Sequence, residues 1–179
     1  MSRADPDPEC PPDGTSTAAW VPAVLVGGGF GGVYVATYGV DRFFEYAAML
    51  GDHGALLQFA LTAVLLAAHE AVHAVAYVLG GRSWDEVDVA FELFPSGTYD
   101  PVRVSVQPAV PMNRWAYRFG VALPGLLLGV LPSALAVATG NPLAMFVGLF
   151  GTVLLPPDVE TLLDTWRAPG TLAAVEVPA

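Results

Sequence analysis

The chain has 179 residues, 54% of them hydrophobic and 13% charged, with a mean hydropathy of +0.54. A soluble domain carries about 25% charged residues, so this fraction, with apolar runs of membrane length, excludes an ordinary water-soluble fold and points to lipid as the solvent. Seventeen acids against seven basic residues leave a net charge of −10, which argues against nucleic acid or anionic lipid as a partner.

Every basic residue is arginine, and an acidic, lysine-free composition resembles proteins of salt-loving archaea. Cys10 is the one cysteine, so one chain can form neither a disulfide framework nor a cysteine-ligated zinc site.

Residues 1–19, rich in Pro, Asp, Ser and Thr, read as a disordered acidic tail rather than a signal peptide. Residues 20–40 carry no charge and form the first candidate span. Gly27-Gly28-Gly29-Phe30-Gly31-Gly32 formally contains a dinucleotide fingerprint, but no βαβ context surrounds it. Small residues at Gly27/Gly31 and Gly28/Gly32 instead predict close helix packing. The second candidate span, 54–81, is apolar except around His69, Glu70 and His73.

Then the pattern changes. Val87, Val89, Phe91 and Leu93 alternate with Asp88, Ala90 and Glu92, Pro95-Ser96-Gly97 turns the chain, and Val102, Val104 and Val106 alternate again. This predicts a β-hairpin over 84–107, outside the bilayer core. Asp85, Glu86 and Asp88 read as a solvated face. Arg114, Trp115, Tyr117 and Arg118 suit a membrane–water interface. The third candidate span is 119–139, kinked by Pro124 and Pro132 with no ligand implied. Asn141-Pro142 turns the chain into a fourth apolar run, 142–155. That run is short against the roughly 20 residues of a full span, so it tilts, thins the bilayer or enters partway. A further helix follows, and 168–179 is a tail.

The expected fold is therefore an all-α membrane bundle of about four spanning or membrane-entering helices, one domain over 20–167, with a small cytoplasmic hairpin. With the N-terminus inside, Arg3, Arg82, Arg103, Arg114, Arg118 and Arg167 fall on the cytoplasmic side and Arg42 alone on the other, which is the positive-inside arrangement. The second and fourth segments then run in the same direction.

Residues 69–73 read His-Glu-Ala-Val-His. On a helix, i and i+4 share a face, so both imidazoles reach one metal ion, and Glu70 lies beside them where it takes a proton from water. An ionisable cluster in an apolar span is costly and usually functional. Catalytic zinc takes three protein ligands and a water. The third ligand is then His53 or a carboxylate. His53 lies in the loop on the opposite side. Asp158, after Leu154-Leu155-Pro156-Pro157, lies at the inner end of the fourth segment, at a depth similar to the motif, with Glu160 and Asp164 as near rivals. A plain helix N-cap is the alternative role for Asp158.

A membrane-buried His-Glu-x-x-His helix, a hairpin, an Arg-aromatic segment leading into Tyr117-Arg118-Phe119-Gly120-Val121-Ala122-Leu123-Pro124, and an Asp after the last span together resemble the putative zincin peptidase family of small membrane proteins. That family is similar in plan to the site-2 proteases. The resemblance covers about 54–167 and implies zinc held by His69, His73 and Asp158, with Glu70 as general base. Here Pro-Pro-Asp158-Val-Glu stands in place of the Leu-Asp-Gly signature of the site-2 proteases. The expected function is a membrane zinc metalloprotease acting on a peptide or membrane-protein substrate. A non-catalytic metal-binding scaffold and a cation or proton carrier are the rival readings. A carrier calls for internal repeats and a second polar cluster, and the sequence shows neither.

Overall fold

The computed structural model describes residues 16–49, 51–93 and 102–167. The expected acidic tail up to residue 15, the Pro95-Ser96-Gly97 turn and the tail from residue 168 lie outside the described residues. Helix α1, Thr17–Tyr38, corresponds to the first apolar run and begins three residues earlier than expected. After Gly39, α2, Val40–Met49, is a short amphipathic helix that the sequence reading did not anticipate. It sits between two long apolar runs and carries Asp41, Arg42 and Glu45, so it reads as a connection. Stacking of Tyr46 on Phe146, 4.7 Å between ring centroids, ties it to the bundle.

Helix α3, Gly54–Leu79, carries the His-Glu-x-x-His motif. Strands β1, Val87–Leu93, and β2, Val102–Pro108, pair antiparallel with Val89 opposite Val106 and Phe91 opposite Val104. The valine alternation therefore places one apolar face together. Helix α4, Arg114–Pro124, starts where the Asn113 side chain accepts the Trp115 backbone N–H at 2.9 Å. A π-helical turn, Gly125–Val130, follows Pro124 directly and leads into α5, Leu131–Thr139. Asn141 caps α6, Pro142–Val153, by accepting from Leu143 and Ala144. Its proline occupies the first turn, where no N–H is needed. The chain then bends by 44° into α7, Leu155–Arg167.

Three stretches are long and apolar enough to cross a membrane: Thr17–Tyr38, Gly51–Leu79 and Arg114–Thr139. The bent pair α6–α7 makes a fourth if taken as one span. Their outward faces expose large apolar side chains, including Leu25 at 70%, Phe59 at 74% and Leu79 at 77%. Such a surface matches lipid far better than water.

Two packing centres hold the bundle. Tyr34, Ala136 and Met145 join α1, α5 and α6, and Phe30, Phe43 and Leu149 pack around them. At the other end Tyr77, Val106, Met112, Tyr117 and Val121 join α3, β2 and α4, with Leu162 of α7 against them. Helix α4 thus touches both α3 and α7, while α1 packs along α5, α6 and α7. Close packing at the glycine run is one-sided. Gly27 lies against Thr152 and Gly31 against Leu149, whereas a side chain at Gly28 or Gly32 would meet nothing within 4 Å. The expected packing role therefore holds for the first pair and not for the second, which falls on the outward face of α1.

Candidate metal centre

His69 and His73 stand one helical turn apart on α3, their ring centroids 4.9 Å apart and nearly perpendicular. Asp158 reaches them from the first turn of α7. Its Oδ2 lies 3.2 Å from His69 Nε2 and its Oδ1 lies 3.3 Å from His73 Nε2. All three groups are buried, and each offers one ligand atom within 4.8 Å of the others. Helix α7 begins at Leu155, so Asp158 is inside the helix and not its N-cap. Pro156 and Pro157 fall in the first turn, where a missing N–H costs no helical bond. They let the helix start at once after the bend and aim Asp158 back at α3.

The donor set fits a cation. His73 Nδ1 lies 3.0 Å from the Gly120 carbonyl, which only accepts, so the ring proton sits on Nδ1. That leaves Nε2 as a lone pair turned towards a carboxylate oxygen. Two acceptors facing each other in a buried site are unfavourable unless a cation or an extra proton lies between them. Two imidazole nitrogens and one carboxylate oxygen are a set that catalytic zinc uses, with its fourth position left open. Ligand atoms about 2.0–2.1 Å from a tetrahedral zinc stand about 3.3 Å from each other. The two carboxylate–imidazole separations, each to a different Asp158 oxygen, are close to that value.

Glu70, next to His69 on α3, is half-buried. Its carboxylate accepts a hydrogen bond from the backbone of Val106 on β2, so the hairpin lies directly beside the motif. An aromatic column backs the site: Tyr77 stacks on His73, 6.2 Å and 16° apart, and Tyr117 stacks on Tyr77, 5.7 Å and 6° apart.

The remaining candidates are elsewhere. His53 is exposed in the turn before α3, sixteen residues from His69, or about 24 Å along a helix rising 1.5 Å per residue. Glu160 accepts from the Ser16 backbone N–H at 3.1 Å, and Asp164 is exposed. Asp85 and Asp88 are exposed as expected, and Glu86 is half-buried, closing a capping box with Ser83.

The Arg-aromatic segment needs correction. Trp115 is 67% exposed, as an interface residue should be, but Tyr117 and Arg118 turn inward and are buried. A helix turns by 100° per residue, so a consecutive run cannot share one face. Arg118 Nη2 donates to the Thr165 carbonyl at 2.8 Å, and its guanidinium lies 4.2 Å from the Trp166 ring centroid and 5.1 Å from that of Trp115. It fastens the far end of α7 to α4, two turns beyond Asp158. Arg118, Tyr77, Tyr117 and the Gly120 carbonyl were not among the expected site residues.

A family model described as putative zincin peptidase matches residues 62–172, which take in α3 from its third turn, the hairpin and α4 to α7. No curated protein and no solved structure matches the chain.

Proposed function

The chain belongs to the putative zincin peptidase family, and from that premise we propose that it is an integral-membrane zinc metalloprotease. The observation that carries the reading is the Asp158 carboxylate set between His69 Nε2 and His73 Nε2 at 3.2 and 3.3 Å. His69, His73 and Asp158 hold the metal. When bound, zinc supplies a Lewis acid that polarises a carbonyl and makes water acidic enough to ionise near neutral pH.

The chain's own groups do the rest. Glu70 projects from the same helix beside the ligands, takes a proton from the attacking water and returns it to the leaving amine. The half-buried position of Glu70 and its contact with β2 keep it near the metal without making it a ligand. The Gly120 carbonyl and the Tyr77 ring orient His73. Hydrolysis requires water to reach the site, and the proposed route is from the cytoplasmic side.

The substrate is a peptide or a membrane-protein segment, unwound where it meets the site. Strand β2 is the natural place to hold it. Ala109 N–H bonds to Glu86 O, which sets the ladder so that the N–H groups of Val104 and Val106 point away from β1, the Val106 one being engaged by the Glu70 carboxylate. An added strand along that edge lies beside Glu70. We place the protein as a multi-pass protein of the cell membrane, with both termini and the hairpin in the cytoplasm, from the arginine distribution.

Metal analysis of the purified protein tests the reading. Wild type should hold about one zinc per chain, and His69→Ala or His73→Ala should abolish it. Undiminished zinc in the double variant would refute the site.

A further inference from the structure

Residues 120 and 124 are one helical hydrogen bond apart. In an α-helix the carbonyl of residue i accepts from the N–H of residue i+4. Four residues after Gly120 stands Pro124, which has no N–H to give and whose ring crowds that carbonyl. The Gly120 oxygen is left without its intrahelical donor, and it is this oxygen that lies 3.0 Å from His73 Nδ1. The glycine is needed as well. A Cβ on residue 120 would meet the Tyr77 ring at 2.6 and 2.8 Å, so a side chain there would push α4 away from α3. Tyr77 in turn stacks on His73, closing the triangle. A π-helical turn starts immediately after Pro124, and the span continues through it into α5.

We infer that Gly120 and Pro124 form a positioning pair for His73: the proline frees a backbone carbonyl, and that carbonyl fixes the imidazole proton on Nδ1 and presents Nε2 as a lone pair to the cation. The inference rests on the metal-centre reading of His69, His73 and Asp158, and it assigns Pro124 a role beyond bending the span. Neither residue touches the metal. His69 has no such device, since its Nδ1 has no partner among the described residues. The two histidines therefore differ, with His73 held and His69 free to adjust.

Pro124→Ala returns an N–H to the helix, which competes with His73 for the Gly120 carbonyl. Losing an outer-shell partner typically costs 10- to 100-fold in metal affinity. Pro132→Ala removes the other proline of the same span, away from the histidines, and serves as the control. Cobalt(II) titration of the detergent-solubilised protein reads both affinity and, through the visible bands, ligand geometry. Pro124→Ala should bind cobalt 10- to 100-fold more weakly, with shifted bands. Pro132→Ala should match wild type in affinity and spectrum. Wild-type affinity and spectrum in Pro124→Ala would overturn this inference and leave the metal reading standing. A wild-type protein that takes up no cobalt would remove the metal reading and this inference with it. Should Pro124→Ala fail to fold, ¹⁵N spectra of metal-free wild type, at a pH where the imidazole is neutral, decide, because the chain has only three histidines. A slowly exchanging proton on His73 Nδ1 supports the pair, and a proton on Nε2 overturns it.

Discussion

Replacing Asp158 by alanine should weaken zinc binding by about two to three orders of magnitude. The carboxylate is one of three protein groups at the centre, the only anionic one, and stands 3.2 and 3.3 Å from the two imidazole nitrogens. Structural zinc sites with four ligands bind with about 10–16 kcal/mol, so one ligand is worth roughly 2.5–4 kcal/mol, and about 1.4 kcal/mol is tenfold. The two histidines are left one turn apart on a single helix, a weak bidentate site. Competition against a chelator of known affinity, in detergent, measures the change. Asp158→Asn separates charge from size, and it should fall between alanine and wild type. Glu160→Ala and Asp164→Ala are controls, because Glu160 accepts from the Ser16 backbone and Asp164 is exposed. Their affinity should stay within about twofold of wild type, since neither touches a ligand. An unchanged affinity in Asp158→Ala, or a larger loss in Glu160→Ala, would refute the assignment of the third ligand.

Glu70→Gln should keep one zinc per chain and abolish peptide hydrolysis, read by zinc content and cleavage of a peptide library; loss of zinc would make Glu70 a ligand instead. Arg118→Ala should destabilise the fold by about 2–3 kcal/mol, from a charged hydrogen bond and two indole contacts, and should lower zinc affinity because the far end of α7 is released. Zinc affinity equal to wild type in a folded Arg118→Ala protein would show that α7 is held by other contacts. In a Cys10→Ser background, cysteines placed at Ser96 and Thr171 should resist an impermeant reagent in intact cells while one at Asp52 is labelled, and the reverse pattern would invert the topology.

Local signals carried much of the fold. The helix with His69 and His73, the alternation of Val87, Val89 and Phe91 against Val104 and Val106, and Asn141-Pro142 are each written within a few residues and appear as α3, the hairpin and the start of α6. Asp158 was preferred over its neighbours Glu160 and Asp164 from its depth and from the family resemblance, while the geometry that brings it to the histidines depends on the 44° bend before α7, which no local pattern encodes. Helix α2 was missed because ten residues with three charges between two long apolar runs look like a connection. Arg118 was misplaced because composition alone made it an interface residue like Trp115, while α7 packs over that side of α4 and covers the guanidinium with Trp166 and the Thr165 carbonyl. The role of the Gly120 carbonyl was written in the sequence as a four-residue spacing to Pro124. It gained meaning only when the fold brought His73 against it.

On the proposed reading, Glu70 is what separates a hydrolase from a scaffold that merely holds metal. A scaffold needs His69, His73 and Asp158, which already supply two imidazoles and a balancing charge. A further carboxylate in an apolar helix, half-buried beside those groups, adds a desolvation cost with no gain in ligation. It is instead held by the backbone of β2, the strand whose outward edge offers further hydrogen-bonding groups beside it. Three features converge there: a strand edge turned towards α3, an acid beside the candidate metal ligands, and a carboxylate brought from α7, some ninety residues away in sequence. Metal storage uses only the last. Peptide hydrolysis uses all three, one to hold the extended chain, one to move the proton, and one to complete the cation's cage with its fourth position open.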